Sequence, residues 1–397
     1  MGDVDMVRGS CRSAALLGAA LAAMAACAGA SAAPAYQTLY SFTGAGDGAA
    51  PLGALAIDAR GNIYGTAQSG GLYGYGAAYR IAPDGGVTAL HQFKGGRDGA
   101  VPMAGLVARN GVFYGTTQYG GVANGGTVFR LKADGYLKIL HSFGVGEDGF
   151  NPASGVSFDA AGNLYGTTPL GGGASCSCGA VYKLGRDGGE AVLYAFAGGN
   201  DGSQPQAGVT LDGAGNMFGT TWRGGASDKG TVFSLAPDGS ESVLHAFLNQ
   251  RGSGANPLAG VVRDAQGNLY GSTTSNGGIE TGTIFEVEPN GNTVKLHSMG
   301  GTDGYLPTAG DLVRDAKGNL YGTAQLGGSQ NCGFGEGCGT IFRVAPGGKL
   351  TVLHFFGGGT DGYWPQSGLV ADEHGALYGT TTLGGASGHG TIFKISN

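Results

Sequence analysis

The sequence predicts an all-β fold: a seven-bladed β-propeller of four-stranded antiparallel blades, closed by the N-terminal strand at residues 36–42. Three observations carry this prediction. One phrase recurs seven times, with copies opening at Pro51, Pro102, Pro152, Pro205, Pro257, Pro307 and Pro365, and a period near 50 residues is the signature of propeller blades. Each copy holds four short runs of β-branched and aromatic residues bounded by Gly, Asn, Asp or Pro, the pattern of four strands. The two ends of the chain complement each other, since a lone fourth strand precedes the first copy and the last copy lacks one. With 85 Gly and 13 Pro in 397 residues the composition borders on that of disordered chains. The clustering of apolar residues instead makes glycine the punctuation of a regular fold, and no long stretch escapes a turn signal, which excludes a helical bundle.

Residues 1–35 read as a signal peptide and short mature N-terminus. Arg8 and Arg12 precede an apolar run over about 14–28, followed by small residues at Ala30-Ser31-Ala32, the order of a secretory leader. That run is shorter than the ~20 residues of a membrane span, so no transmembrane span is expected in the mature chain. Met24-Ala25-Ala26-Cys27 approximates a lipoprotein box, which makes lipidation of Cys27 an alternative to cleavage near Ala32. The expected location is exported: periplasmic, extracellular or at the cell surface, with an outer-membrane lipoprotein as the alternative. The formal net charge of −6 gives no support for a nucleic-acid partner, which wants a basic face. Residues 36–397 then form a single propeller domain, expected as a monomer.

In the fifth copy the four strands are expected at residues 259–263 (a), 268–273 (b), 283–287 (c) and 293–298 (d). The a-to-b connection Asp264-Ala-Gln-Gly-Asn268 and the c-to-d connections of Pro-Asp-Gly type suit tight turns. Tyr36-Gln-Thr-Leu-Tyr-Ser-Phe42 is a strand d without a, b or c before it, and the copy opening at Pro365 stops after strand c at residues 391–395. Pairing these two would leave no exposed edge.

The phrase Asp-x-x-Gly-Asn-Leu-Tyr-Gly-Thr-Thr, with a following Gly-Gly and Gly-Thr-Val-Phe, resembles the GloVer tandem repeat of bacterial choice-of-anchor surface and secreted proteins. The resemblance covers residues 36–397 and implies an exported bacterial repeat protein, without implying an activity. The chain ends at Ile395-Ser-Asn397 without a sorting segment, so any anchoring is expected through Cys27.

Residues present in every copy are read as scaffold. Gly65, Gly115, Gly166, Gly219, Gly271, Gly322 and Gly379 sit mid-strand, where glycine marks close approach, and neighbouring blades are the expected visitors. The aromatics beside them, such as Tyr64, Tyr165 and Tyr270, are expected to fill the space between blades. His91, His141, His245, His297 and His354 share one place in strand d, held in the other copies by Tyr40 and Tyr194. Strand d should be outermost and scatter them, so packing with a hydrogen bond is expected and no metal site. The loop acids Asp47, Asp98, Asp148, Asp201, Asp303 and Asp361 are expected in Asx-type turns. No cofactor is expected.

Function should lie where the sevenfold pattern breaks. The b-to-c and d-to-a loops share one face, and two of the b-to-c loops are longer and hold four of the six cysteines. Cys332 with Cys338, and Cys176 with Cys178, are the expected disulfides of an exported chain. On the same face Phe150, Tyr305 and Tyr363 occupy a position that is Ala or Ser elsewhere; Tyr305, Tyr363, Trp364 and Phe334 are expected to share one neighbourhood around blades six and seven, and Trp222 and Arg223 of the fourth blade are further loop candidates. These seven are the candidate ligand-binding residues, since flat rings with polar edges suit sugars or peptide segments. Tyr73, Tyr75 and Tyr119 are further loop aromatics. Arg223, Asp228, Lys229, Glu280, Glu336, His374 and His389 break the repeat too, but no triad or carboxylate pair can be assembled from their spacing, so no catalytic residue is assigned. The leading reading is a non-catalytic protein binding a glycan or protein partner through the loop face. A propeller enzyme (lyase, lactonase or polysaccharide-active) and a purely structural surface repeat protein are the alternatives. Mass spectrometry of an unreduced digest should recover Cys332 linked to Cys338 and Cys176 to Cys178; free thiols in both loops would overturn the clasps.

Overall fold

A computed structural model describes residues 34–144, 147–173, 176–276, 281–307, 310–328 and 335–396. The strand-forming runs fold into seven antiparallel sheets. In the first blade strands a to d are Ala56–Ile57, Ile63–Ala67, Ala77–Ile81 and Val87–Gln92. In the fifth they are Val262–Arg263, Leu269–Thr273, Thr283–Val287 and Thr293–Ser298. Strands c and d of that blade match the expected bounds, and strand a is shorter than expected. The segment before it is taken up by contacts with neighbouring blades: a Cβ on Gly53, Gly105 or Gly310 would strike the backbone of an adjacent blade. The seventh sheet closes the ring, as Ala35–Ser41 pairs with Thr391–Ser396 in the register Tyr36↔Ile395 and Ser41↔Thr391.

The visitor at the mid-strand glycines is not the neighbouring blade but the aromatic ring of strand c in the same blade. Gly271 pairs with Phe285 across the ladder, and a Cβ there would lie 2.5 Å from the Phe285 ring. Gly115, Gly219 and Gly322 stand 2.7 Å on the same measure from Phe129, Phe233 and Phe342, and Gly65 and Gly166 receive Tyr79 and Tyr182. The tip of the ring reaches over the bare backbone because cross-strand partners point to one face of the sheet. A register shift precedes the aromatic in each c–d pair, as between Ile284 and Phe285, and such bulges increase local twist.

These rings then join the blades. The phenylalanine following strand d of one blade meets the strand-c ring of the next edge-on: Phe42 with Tyr79, Phe93 with Phe129, Phe143 with Tyr182, Phe196 with Phe233, Phe247 with Phe285 and Phe356 with Phe393, at centroid distances of 5.0–5.5 Å. Met299 packs on Phe342 in the remaining seam. The strand-b tyrosines fill between blades as expected, Tyr64 stacking on Phe113 of the next blade at 4.0 Å. Strand-b threonines add hydrogen bonds across the seams, Thr66 Oγ1 donating to the Ala104 carbonyl at 2.7 Å and Thr220 Oγ1 to that of Ala259 at 2.7 Å, each contributing about 1 kcal/mol.

Aspartates secure both ends of the blades. At the a-to-b turns Asp58 accepts the Arg60 and Asn62 N–H groups, the Asn62 amide and the Tyr64 hydroxyl at 2.8–3.1 Å; Asp159, Asp212, Asp264, Asp315 and Asp372 occupy the same turn. At the rim each loop acid grips the strand-d ring of its own blade. His91–Asp98, His141–Asp148, His297–Asp303 and His354–Asp361 lie at 2.9–3.2 Å, and Tyr40 and Tyr194 donate to Asp47 and Asp201 at 2.7 and 3.0 Å. The acids also accept loop N–H groups, Lys94 N to Asp98 at 2.9 Å among them. His245, whose connection lacks the acid, instead meets Thr293 through Nδ1 at 2.8 Å.

Gly271→Ala should cost about 1–3 kcal/mol through overpacking against Phe285, whereas Gly213→Ala, with nothing within 4 Å of its Cβ, should leave the melting temperature unchanged or slightly raised. Equal melting temperatures for the two variants would refute the socket. Burial raises the turn and loop carboxyls, but the hydrogen bonds just described outweigh it and hold Asp47, Asp58, Asp98 and Asp159 below the usual range. Their contribution is therefore present above the unfolded value of about 4 and lost as pH falls below it. Glu190 and Glu241 behave oppositely. Burial, then Asp148 and Asp201 respectively, pushes them up to about 6 and about 7, so stability declines as pH rises from about 4.5 through those values. Melting temperature against pH should peak at about pH 4–6, and Glu241→Gln should flatten its alkaline side.

Candidate functional site

The loop face is built by pairing the d-to-a loop of each blade with the b-to-c loop that follows. Bridges join Ala49 to Ser69, Ala100 to Tyr119, Phe150 to Leu170, Ser203 to Arg223, Ala255 to Ser275 and Tyr363 to Leu383. In the sixth blade the same pairing lengthens into a short strand, Tyr305–Pro307, against Leu326 and Ala324. The residue before each opening proline has a left-handed backbone, with φ of 54–62° at Ala50, Val101, Asn151, Gln204, Asn256, Leu306 and Trp364. Such a conformation is costly for a non-glycine residue before proline. Hydrogen bonds to the preceding blade offset it, as Ala50, Val101, Asn151, Gln204, Asn256 and Trp364 donate to carbonyls of its b-to-c loop at 2.7–3.0 Å. Backbone strain repeated in every blade belongs to the scaffold.

Several of the expected ligand-binding residues therefore occupy repeated structural slots. Phe150 packs against the buried cluster of Val128, Phe143 and Tyr182, and Tyr363 against that of Ile341, Phe356 and Phe393. Tyr305, Trp364 and Trp222 are half-buried, and the Tyr363 and Trp364 rings meet edge-on at 5.7 Å. The Arg223 guanidinium lies 4.5 Å over the Trp222 ring and 3.2 Å from Asp228. Phe334 and Cys332 lie outside the described residues, as does Glu280. Cys176 and Cys178 form a disulfide, with Cα atoms 5.2 Å apart, and Cys338 is disulfide-bonded.

Among the described residues, the largest group of exposed apolar side chains on this face lies in blades one and two. Leu72, Tyr73, Tyr75, Tyr119 and Val122 are 71%, 51%, 47%, 39% and 75% exposed. Their loops are held firmly. Gly70 bridges to Tyr75, the Leu72 N–H donates to Gln92 at 2.9 Å, and the Tyr75 carbonyl accepts from Val101 at 3.0 Å. Tyr75 lies against Gly95, where a Cβ would be 3.1 Å from the ring, and the Lys94 ammonium stands 5.6 Å from the Tyr73 centroid.

One acid at the axis belongs to no recurring motif. The sixth copy has eight steps from Pro307 to the turn acid Asp315, against seven from Pro257 to Asp264, and the extra residue places Asp311 after Gly310. Asp311 lines an axial cavity of about 390 Å³ otherwise walled by apolar strand-a residues such as Ile57, Val107 and Val370. Asp311 is exposed to solvent at that channel; it accepts the Gly260 N–H at 2.7 Å, and desolvation by the surrounding protein holds its carboxyl above the usual range. Among the described residues no group of three or more His, Cys, Asp or Glu converges as a metal site.

Comparison with solved structures finds the same architecture at low identity. An extracellular domain assigned to a one-component system of B. thetaiotaomicron shares 9% identity at a TM-score of 0.55, covering 90% of this chain and 39% of that one. An extracellular domain assigned to a hybrid two-component system of the same organism shares 12% at 0.53, covering 90% and 41%. A protein assigned as a gluconolactonase shares 13% at 0.44, covering 92% and 93%. The two likenesses with TM-scores of 0.53 and 0.55 concern the fold alone. No curated protein matches the chain. The profile of the Gloeobacter/Verrucomicrobia repeat matches residues 28–178 and 159–393. With seven copies of the repeat phrase each folded as a blade, the chain belongs to the Gloeobacter/Verrucomicrobia repeat family.

Proposed function

We propose that this is an exported, non-catalytic propeller that binds a glycan or protein partner through its loop face, with the contact centred on blades one and two. The observation that carries this reading is the exposed set Leu72, Tyr73, Tyr75, Tyr119 and Val122, because exposed aromatic clusters mark interaction surfaces. Rings on loops already pinned by backbone hydrogen bonds lose little freedom on binding, and tyrosine offers an apolar face with a polar edge. The half-buried Trp222, Tyr305, Tyr363 and Trp364 would shape the rest of the face, with Phe150 supporting it from below. Export rests on residues 1–35 acting as a signal peptide, with lipidation of Cys27 as the alternative anchor. Among the described residues no helix is long and apolar enough to cross a membrane. The mature unit is proposed as a monomer.

The enzyme alternative draws on Asp311, a solvent-exposed acid lining an otherwise apolar cavity, a setting in which acid–base groups are tuned. A glycan array and a protein pull-down, run with wild type and with a Tyr73→Ala/Tyr75→Ala variant of unchanged melting temperature, decide between these readings. Loss of a bound partner in the variant, about tenfold or more in affinity, is the expected result. A partner retained in full by the variant, or none found, would overturn the blade-one surface. Turnover of a polysaccharide or cyclic ester that disappears in Asp311→Asn would favour the enzyme.

A further inference from the structure

The tight-turn face, opposite the loops, carries one departure from the repeat that reverses a charge. In blade two the strand-a residue Arg109 stands where Asp58, Asp159, Asp212, Asp264, Asp315 and Asp372 stand in the other six. The ladder fixes the equivalence: Val107↔Tyr114, Ala108↔Phe113 and Arg109↔Val112 continue as Ala56↔Tyr64 and Ile57↔Ile63 do before Asp58, whose N–H donates to the Asn62 carbonyl. The five-residue Asp turn is replaced by Asn110-Gly111, both with positive φ, a hairpin turn that needs no carboxylate.

Elsewhere the acid answers the local cations. Lys183 lies over Tyr165 and Lys394 over Tyr378, and each tyrosine donates to its turn aspartate at 3.0–3.1 Å. Arg314 approaches Asp264 at 3.7 Å. Blade two has no such acid. Its Arg109, Arg130 and Lys138, with Arg186 of blade three, line a cavity of about 490 Å³ at the seam between the blades. The single acid in that lining is Asp187, which already accepts the Gly189 N–H at 3.1 Å. Three net positive charges thus converge in a protein whose formal charge is −6.

The cations are also positioned. Arg109 donates to the Asp159 and Ala160 carbonyls at 2.9 and 3.2 Å and lies 4.8 Å over the Phe158 ring. Arg186 donates to the Ala161 carbonyl at 3.3 Å. Guanidinium groups held in this way present their charge with less loss of freedom. Tyr114 and Phe158, 4.9 Å apart and edge-on, supply an aromatic wall. The volume exceeds that of a bare oxyanion and falls in the range of small-ligand pockets.

We infer that the seam between blades two and three is a binding site for an acidic saccharide, with Arg109, Arg130, Lys138 and Arg186 receiving its carboxylate or sulfate groups and the turn backbone its hydroxyls. This site is separate from the loop-face surface, and either can fail without the other.

Calorimetric titration of the full mature chain with an oligogalacturonate, a neutral oligosaccharide of equal length and inorganic sulfate tests the inference. The acidic oligosaccharide should bind, weaken as salt is raised, and lose about tenfold or more in affinity on Arg109→Asp. The Lys138→Gln/Arg186→Gln variant, altered at two exposed side chains, should show the same loss with unchanged melting temperature and carries the test if Arg109→Asp does not fold. Equal binding of the neutral oligosaccharide, sulfate binding as tightly as the oligosaccharide, variants that bind like wild type, or no binding of the acidic oligosaccharide would each overturn it.

Discussion

The structure depends on an aromatic ring whose tip reaches over a bare backbone. In each blade the strand-b glycine leaves a socket that the strand-c phenylalanine or tyrosine fills from across the ladder. Without a Cβ on strand b the ring tip can reach over that strand, and the rings of Phe129, Phe233 and Phe393 are buried as a result. A ring so seated makes room for the Phe that follows strand d of the preceding blade, and that contact spaces the blades. A single glycine therefore serves both the packing within a blade and the seam between two. Repetition of this small unit around a closed ring gives each blade two neighbours, so burial of apolar surface, the main favourable term in folding, is shared evenly.

The two faces are finished by different means, and this bears on where function can reside. On the tight-turn face a side-chain carboxylate organises the a-to-b turn in six of the seven blades, and in blades one, three and six, among others, it accepts the strand-b tyrosine hydroxyl. On the loop face the backbone does the work, through bridges between consecutive loops and the left-handed residue before each proline. Large side chains in those loop slots, Phe150 and Tyr363 among them, settle against the blades beneath. The departures that alter chemistry are fewer: the exposed rings of blades one and two, the axial carboxylate of Asp311, and the charge reversal at Arg109. A ring in which six positions agree makes the seventh informative.

Much of the fold was legible because its determinants are local and periodic. Strands c and d of the fifth blade run over the residues expected from their β-branched content, and the orphan strand at the N-terminus found its place beside Thr391–Ser396. The glycine visitor was misassigned because a missing Cβ says that something approaches but not from which side, and only the ladder register identifies Phe285 over Gly271. The His91–Asp98 contact has a similar origin. Both residues are repeated and seven apart, yet the loop must fold back on its own strand before they meet at 3.0 Å.

The site was less legible than the scaffold. Counting from Pro307 to Asp315 exposes the inserted Asp311, and aligning Arg109 with the turn aspartates exposes the reversed charge, so both signals were present in the sequence. They are single-residue departures, which a search for recurring phrases passes over. The sequence by itself determined the number of blades, the strand pattern and the manner of closure, since these follow from periodic apolar residues and turn chemistry that act over a few neighbouring positions. Tertiary structure alone decided which aromatics reach solvent and which charges share a cavity. Exposure of Tyr73 and half-burial of Trp364, or the gathering of Arg109 with Arg186, depend on how separate loops and adjacent blades lie against one another.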